Sequence, residues 1–346
     1  MASPRVTIIT IGLDLAKHVF QVHGVDATGQ VVIRKKLRRS ELLEFFKELP
    51  PCLVGMEACG TAHHWGRELT ALGHNARLMP AGYVKPYVKR GKNDAVDAEA
   101  NCEAVTRPTM RFVEIKSAEQ QSVLMLHRTR ELLVRQRTAL INSLRGQLAE
   151  FGLIAPQGIW RVPQLHALAQ GATSSVLPDA VRVCVELIMG QIDDLQMRIG
   201  TIGKSILACH RASEMSQRLQ TIPGIGVITA TAIAATVANA NVFKSGRHFA
   251  AWIGLVPRQT GTGGRIHLGP ISKKGDPYLR KLLVLGATAV IRYAKNKPEL
   301  AAWINALLER RPARVVTVAV ANKLARIAWA VMSRGETFRQ ASSAIA

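Results

Sequence analysis

The stretch RVTIITIGLD (residues 5–14) is a short apolar run rich in β-branched residues, and it ends in a carboxylate. Such a run predicts a buried β-strand. HVFQVHGV follows it, then a turn signal from Asp26 to Gly29, then QVVIRKKL. We therefore predict that the chain begins with a three-strand meander.

Helix and strand patterns alternate in the sequence after this meander. Ser40 is a candidate N-cap for a helix SELLEFFKEL. CLVGME (52–57) predicts a fourth strand, HHWGRELTALG a helix ending at Gly73, and HNARLM a fifth strand. The order βββαβαβ followed by a helix predicts an RNase-H-like α/β domain over residues 1–117.

Long helices are predicted over residues 118–215, which are rich in Leu, Arg and Gln. Apolar residues recur there at intervals of three and four, at Leu187, Ile192, Leu195, Ile199, Ile202 and Ile206. An ordinary amphipathic helix pair packed on its own chain would give the same pattern. We favour an antiparallel, coiled-coil-like helical arm that dimerises.

Basic residues are concentrated in the last third of the chain, which carries a formal net charge of +22. Lys and Arg exceed Asp and Glu by 15 in residues 216–346, but by only 4 in residues 1–120 and 3 in residues 121–215. A field of this strength attracts a polyanion and makes its affinity salt-dependent. We predict that residues 216–346 form a mainly α-helical, nucleic-acid-binding domain.

Several other classes of protein do not fit the composition. The five cysteines are scattered without zinc-site spacing, so we expect buried free thiols. The longest apolar runs fall short of the roughly 20 residues that span a bilayer, and the N-terminus lacks the order of a secretory signal. We expect a soluble, cytoplasmic protein. P-loop and dinucleotide-binding signatures are absent from the sequence.

Four carboxylates form the first candidate site. Asp14 ends the first predicted strand and Glu57 the fourth, while Asp94 and Asp97 are spaced to share one helix face. The ends of strands one and four are adjacent in an RNase-H-like sheet, and a following helix can bring its acids over them. Hard oxygen ligands from separate elements suit Mg²⁺. Each acid alone could be a turn cap, a surface residue or a helix N-terminal residue; together they favour a metal site.

The basic region holds two further candidate motifs. Ile222-Pro-Gly-Ile-Gly-Val227 predicts a helix-hairpin-helix whose Gly224 and Gly226 expose backbone N–H groups to a DNA phosphate; a plain αα-hairpin is the alternative. A Gly-rich loop from Gly261 to Gly269 follows. The side chains predicted to contact phosphates around this loop are Arg258, Arg265, Lys273 and Lys274.

Together these motifs resemble the DEDD-type insertion-sequence transposases of the insertion-sequence 110 family, which are bridge-RNA-guided recombinases. IGLDLAKHVFQV, VGMEACGT, KRGKNDAVDAEA, TIPGIGVITA, FAAWIGLVPRQ and ISKKGDPYLRKLL occur in the family's order and approximate spacing. The resemblance covers nearly the whole chain, although residues 150–215 match in helical character alone.

The resemblance implies a RuvC-like N-terminal domain whose four acidic residues fall on Asp14, Glu57, Asp94 and Asp97. It also implies a dimerising arm, giving a homodimer or homotetramer, and association with the bacterial nucleoid. A noncoding RNA would pair with both donor and target DNA. In the family a C-terminal serine attacks a DNA phosphate and forms a covalent intermediate.

This chain departs from the family pattern at that serine. The corresponding loop reads Gln259-Thr-Gly-Thr-Gly-Gly264, in which Thr262 is the best match and Thr260 the second. A threonine hydroxyl can act as a nucleophile when it is activated, although its methyl group crowds the approach. Ser272 lies nearby but matches a basic motif. An inactive copy, a Holliday-junction resolvase that uses water, and a non-catalytic binder of branched DNA stay open as alternatives.

Overall fold

The fold is described from a computed structural model, which covers residues 7–89, 91, 93–171, 177–293 and 298–339. The chain forms two compact units, Met1–Glu119 and Gln120–Ala346, each described by itself below. Residues 5 and 6 of the first predicted strand lie outside the described residues. The division into three domains at residues 117/118 and 215/216 stays a prediction.

The first unit is built on a mixed five-stranded sheet with the strand order β3-β2-β1-β4-β5. The antiparallel pairs are β1 with β2 and β2 with β3, whereas β4 is parallel to both β1 and β5. The strands are β1 (Thr10–Asp14), β2 (Val19–Val25), β3 (Val31–Arg38), β4 (Leu53–Glu57) and β5 (Asn75–Met79). The predicted mixed α/β order is confirmed.

The turn between β2 and β3 forms as predicted. The Asp26 carboxylate accepts hydrogen bonds from the backbone N–H of Thr28 at 2.8 Å and of Gln30 at 2.9 Å. Gly29 completes the turn with φ of +83°, a conformation that costs glycine little. This local hydrogen bonding sets where β3 turns back along β2.

Four helices complete the first unit: α1 (Leu42–Lys47), α2 (Ala62–Ala71), α3 (Ala81–Val84) and α4 (Asp94–Val105). The prediction that Ser40 caps the first helix is wrong. A 3-10 turn covers Arg39–Glu41, and the Glu41 carboxylate accepts a hydrogen bond from the Arg38 N–H at 2.7 Å. The helix therefore begins two residues later, without a side-chain cap.

The two faces of the sheet are covered differently. On one face Leu13 and Met56 pack with Phe46 and Trp65 from the helices α1 and α2. On the other face lies α4, and the residues of β1 and β4 beneath it are Gly12 and Gly55. A Cβ atom on Gly12 would lie 2.0 Å from the Ala98 carbonyl oxygen, so the helix rests on bare strand backbone.

Helices dominate the second unit. They are α5 (Ala118–Ala149), α6 (Val162–Gln170), α7 (Asp179–Ala212), α8 (Glu214–Gln220), α9 (Val227–Thr236), α10 (Gly246–Ile253), α11 (Pro277–Tyr293), α12 (Pro298–Leu308) and α13 (Ala313–Arg334). A two-stranded antiparallel sheet of β6 (Pro257–Thr262) and β7 (Arg265–Ile271) interrupts them. The mainly α-helical character of the C-terminal region is confirmed.

The long helices α5 and α7 share a core with α6. Late residues of α5, such as Ile141, pack with early residues of α7, such as Val185 and Ile192, which makes the pair antiparallel. Five of the six residues in the predicted apolar seam are buried or half-buried. The sixth, Leu187, is 64% exposed, because Val185 and Met189 on either side of it face the core instead.

The C-terminal helices pack around α13, which contributes Val316, Val320, Leu324 and Val331 to the main core of the second unit. In length and composition this helix would also suffice to cross a membrane, contrary to our expectation from the sequence, but half of its most apolar window is buried in the protein. A helix buried in the core of a folded domain has the same length and apolar composition as a membrane-spanning helix.

All five cysteines have free thiols, as expected. The expectation that they are buried is wrong for Cys59 and Cys184, whose residues are exposed, while Cys52 and Cys102 are buried. Cys59 follows β4 in a turn, and Cys184 lies on α7 next to the exposed Val183.

We predict that Gly12→Ala destabilises the first unit, because the added methyl group would overlap the backbone of α4. The free energy of unfolding in urea should fall by about 3 kcal/mol. Gly82→Ala is the matched control, since a Cβ atom there meets nothing within 4 Å. Equal stability of the two variants would contradict the packing described here.

Candidate active site

The predicted acidic residues of the first unit converge at one end of the sheet. Asp14 is the last residue of β1 and Glu57 the last residue of β4. The register pairs Leu13 with Met56, so the two carboxylates end neighbouring parallel strands. Side chains alternate along a strand, so Asp14 follows Gly12, and Glu57 follows Gly55, on the face that α4 covers.

The start of α4 brings two more carboxylates to that face. The Asn93 side chain caps the helix by accepting a hydrogen bond from the Val96 N–H at 2.9 Å. Asp94 and Asp97 then lie in the first helical turn, as their spacing predicts. One turn later the buried Asn101 donates a hydrogen bond from Nδ2 to the Leu13 carbonyl at 3.2 Å, which ties the helix to the end of β1.

Asn101 was missed by the sequence-based reasoning. It follows Asp97 at the i+4 position and therefore continues the same helix face. The spacing from Asp97 could have indicated that Asn101 lies on this face. An amide side chain alone does not predict a role, however, and its hydrogen bond to β1 is visible only in the structure.

Burial and like charges both disfavour the charged form of Asp14. Its pKa is raised to about 6, first by burial and then by the negative charges of Asp97, Asp94 and Glu57. The exposed Cys59 thiol also has a raised pKa, from partial burial and from the charges of Glu57 and Asp14. No Lys or Arg among the described residues forms an ion pair with any of the four carboxylates; Arg90 and Lys92 lie outside that description.

The chemistry of this donor set fits a hard divalent cation, because all four groups are carboxylates and no Lys or Arg that the structure describes forms an ion pair with them. Their arrangement is open. Within the described part of the chain, no three His, Cys, Asp or Glu side chains are close enough together to hold an ion. Binding would require the four carboxylates to draw together.

The predicted Gly-rich loop is instead an exposed β-hairpin. Its strands β6 and β7 are joined by the two-residue turn Gly263-Gly264, in which both glycines have positive φ, +55° and +78°. Two such residues are what a type I′ hairpin turn requires. Thr262 and Arg265 pair directly across the strands beside the turn, and both are exposed. The predicted nucleophile therefore lies beside a guanidinium group at the tip.

The hairpin register also brings a histidine that we did not predict beside the second candidate hydroxyl. Thr260 pairs with His267, and directly opposed residues of antiparallel strands point to the same face. Thr260, Thr262, Arg265 and His267 therefore share one face of the hairpin. The Gly-Gly turn could have predicted this register from the sequence alone.

The segment that contains Lys273 and Lys274 has a structural role as well. A Cβ atom on Gly254 would lie 2.2 Å from the Lys274 carbonyl oxygen, and Arg280 donates hydrogen bonds to that oxygen and to the Ile253 carbonyl. Asp276 caps α11. The backbone thus anchors the base of the hairpin, while the side chains of both lysines are exposed and, like that of Arg258, free to meet phosphates.

The two glycines of the predicted helix-hairpin-helix differ in role. Residues 221–226 join α8 to α9, a connection that the helix-hairpin-helix and the plain αα-hairpin both predict. Gly224 packs against α11, where a Cβ atom would lie 2.5 Å from the Val290 side chain and 2.9 Å from the carbonyl oxygen of Gly286, one turn earlier on the same helix. Gly226 is exposed at the start of α9. Packing therefore explains Gly224, and phosphate contact stays a prediction for Gly226.

Comparison with known proteins gives consistent matches along the chain. A DEDD transposase model of the IS110 type matches residues 11–152, and the model of the transposase IS116/IS110/IS902 family matches residues 216–302. The DEDD match includes all four carboxylates and indicates dependence on a divalent metal.

Full-length relatives support the same assignment. A probable family 20 transposase of Pseudomonas aeruginosa is 52% identical, over 95% of this chain and 98% of the relative. The transposase for insertion sequence element IS1328 of Yersinia enterocolitica is 40% identical over 97% and 99%. The transposase for insertion sequence element IS1111A of Coxiella burnetii is 40% identical over 95% and 91%.

The raised pKa of Asp14 predicts a pH-dependent stability in metal-free buffer. Because the folded chain holds this proton up to a pH of about 6, and the unfolded chain releases it near its ordinary value of 3.8, the folded state loses stability as pH rises through that window. In EDTA, Asp14→Asn should therefore be more stable than the wild type at about pH 7.5 and equal to it near pH 4. Thermal unfolding measures this.

Asp193→Asn is the control, since Asp193 is exposed on α7 and outside the cluster. This variant should follow the wild-type curve at every pH. A pH profile of Asp14→Asn that is parallel to that of the wild type would show that the pKa of Asp14 is not raised in the folded chain.

Proposed function

The chain belongs to the IS116/IS110/IS902 family of transposases, and from that premise we propose that it cuts and rejoins DNA with a Mg²⁺-dependent, RuvC-like domain and a hydroxyl nucleophile. The observation that carries this proposal is that Asp14, Glu57, Asp94 and Asp97 meet at one end of the sheet, where burial and the charges of the other three raise the pKa of Asp14.

The four carboxylates would hold the cation. A bound Mg²⁺ would stabilise negative charge on the attacking and leaving oxygens of a phosphodiester. The role of α4 is to present Asp94 and Asp97 rigidly, because the helix is fixed to the strand backbone at Gly12 and by the Asn101 hydrogen bond. Rigid presentation matters, since misplacement of a ligand by about 1 Å can cost about a hundredfold in rate.

The nucleophile we propose is the hydroxyl of Thr262, with Thr260 as the second candidate. In the step, a bond forms between Thr262 Oγ1 and phosphorus while the bond from phosphorus to a sugar oxygen breaks. The hydroxyl proton leaves to a base, and the sugar oxygen gains a proton. One phosphoester bond replaces another, so rejoining a new strand needs no external energy source. Arg265 opposite Thr262 would contact the phosphate.

DNA would be bound along the basic region through exposed Arg258, Arg265, Lys273 and Lys274, and through the backbone at Gly226. These contacts carry no sequence information. We therefore propose that a noncoding RNA from the element selects donor and target DNA by base pairing, and that the protein works in the cytoplasm at the nucleoid.

Self-association is supported by apolar residues that the arm leaves exposed. Val183 and Leu187 lie one turn apart on α7 and are 60% and 64% exposed, and Trp160 before α6 is 90% exposed. Val183 and Leu187 form an exposed apolar strip on α7, which is typical of an interface. We propose a homodimer or homotetramer through this surface; a monomer in sedimentation equilibrium at micromolar concentration would contradict it.

The cation site is tested by Asp94→Asn. We expect strand cleavage in Mg²⁺ to fall at least about a hundredfold, since a neutral amide is a poor ligand for a hard cation. DNA affinity measured in EDTA should stay within about twofold, since Asp94 would contact the metal and not the DNA. Asp193→Asn should cleave like the wild type. A fully active Asp94→Asn variant would refute the proposed metal site.

The nucleophile is tested by covalent trapping. The protein is incubated with Mg²⁺, donor and target DNA and the flanking noncoding RNA, then denatured and digested, and DNA-linked peptides are identified by mass spectrometry. We expect an adduct on Thr262 that Thr262→Ala abolishes and that Thr262→Ser and Thr260→Ala retain.

Four other outcomes have defined meanings. An adduct on Thr260 would transfer the role to the second candidate. Cleaved DNA without an adduct would indicate a resolvase-like nuclease that uses water. Neither cleavage nor adduct would indicate an inactive copy or a DNA-binding protein, and a reaction without the RNA would refute guidance by it.

A further inference from the structure

The second unit contains a cleft of about 1260 Å³ that none of the predicted site residues lines. The base of the β6–β7 hairpin, the start of α10, and the helices α12 and α13 form its walls. One face of α13 runs along it, carrying Arg314, Val318, Asn322 and Arg326 at four-residue intervals, while the opposite face of that helix enters the core. The cleft is therefore a formed feature of the fold and does not consist of loops.

The charged side chains that the structure describes in the cleft are all basic. They are Arg247, Arg314, Lys323 and Arg326, and no Asp or Glu among the described residues lines the cleft. Among the side chains that the structure describes, none of these four has a carboxylate partner. Gly246 packs directly on the backbone of Arg326. A Cβ atom on Gly246 would lie 3.0 Å from the Arg326 carbonyl oxygen, and this contact places Arg247 beside Arg326. Neighbouring unpaired cations favour an anionic occupant.

The remaining lining is aromatic and aliphatic. The Lys323 ammonium lies 4.3 Å from the centroid of the Trp303 ring, a cation–π contact that orients both side chains. Val318 and Ile327 are half-buried in the wall, and Val315 is 53% exposed at its edge. A surface that combines an indole ring, aliphatic groups and guanidinium groups suits a ligand with both apolar faces and negative charges.

We infer that this cleft holds an unpaired DNA strand, with phosphates on Arg247, Arg314 and Arg326 and a base against Trp303 and Val318. Single strands offer exposed base faces together with phosphates, and base–aromatic stacking is insensitive to sequence. A duplex presents its phosphates but keeps its bases stacked inside, so it would leave the apolar lining without a partner. Strand cutting and rejoining by a transposase necessarily releases strand ends from their duplex.

A peptide is the main competitor for such a cleft, since acidic and apolar side chains would satisfy the same groups. The charge of the surrounding region favours DNA, because basic residues exceed acidic ones by 15 in residues 216–346. The inference rests on the DNA substrate of the proposed function and is independent of the metal and of the nucleophile. Binding measured in EDTA therefore tests it separately from cleavage.

The test is fluorescence anisotropy of the full-length protein in EDTA, with a labelled single-stranded oligothymidylate, a duplex and an oligouridylate of the same length. We expect Trp303→Ala to weaken binding of the oligothymidylate about tenfold and binding of the duplex less than twofold, with Trp303→Phe retaining most of the affinity. Arg314→Gln combined with Arg326→Gln should reduce the salt dependence of single-strand binding by about 1.4 in the logarithmic slope.

Two further variants serve as controls. Trp303 also packs against the core, so its replacement could disturb the fold. Val315 is exposed, and Val315→Asp places a carboxylate at the cleft without that risk. This variant should also weaken binding of the oligothymidylate about tenfold. Arg128→Gln removes an exposed charge from α5 and should change single-strand binding less than twofold.

Three results would overturn the inference: unchanged single-strand affinity in the Trp303→Ala and Val315→Asp variants, equal losses for duplex and single strand, or tighter binding of the oligouridylate than of the oligothymidylate. Displacement of the bound oligothymidylate by an acidic, apolar peptide and not by unlabelled single-stranded DNA would assign the cleft to a protein partner instead.

Discussion

Helix α4 lies directly on the backbone of β1 and β4, and this close approach depends on two residues that have no Cβ atom. Gly12 leaves room for the Ala98 carbonyl and Gly55 for the Val105 side chain. Each glycine precedes, by two residues, a carboxylate on the same face of the sheet, so the feature that seats the helix also directs Asp14 and Glu57 toward it. The position of the acidic cluster is therefore a consequence of backbone packing.

The same packing brings negative charges together at a place where they do not stabilise the metal-free protein. Asp14 is partly buried among three like charges and holds its proton to a pH of about 6. A fold selected for stability alone would place a neutral residue or a cation there. Like charges that a scaffold brings to one edge of a sheet are typical of functional sites, because a bound cation would turn their repulsion into binding energy.

Much of this organisation could be predicted from the sequence, since strand ends, helix periods and charge spacing are local properties. The positions of Asp14 and Glu57 followed from the strand order, and those of Asp94 and Asp97 from their spacing. The errors concern tertiary competition. Near Ser40, the Glu41 carboxylate and not the serine hydroxyl accepts the hydrogen bond at the start of the helix. Leu187 fits the apolar period but faces outward, because Val185 and Met189 fill the core instead.

The hairpin shows a different reason for an incomplete prediction. Glycine content favoured an irregular loop, whereas two consecutive glycines with positive φ form the tight turn that pairs the flanking strands. Once that turn is set, the period of two determines every neighbour: Thr262 must meet Arg265, and Thr260 must meet His267. The two threonines therefore differ in their surroundings even though they share a face, since Thr262 has a guanidinium group opposite it and Thr260 an imidazole. A phosphate drawn to Arg265 would lie beside Thr262, and that proximity favours Thr262 over Thr260 as the nucleophile on physical grounds.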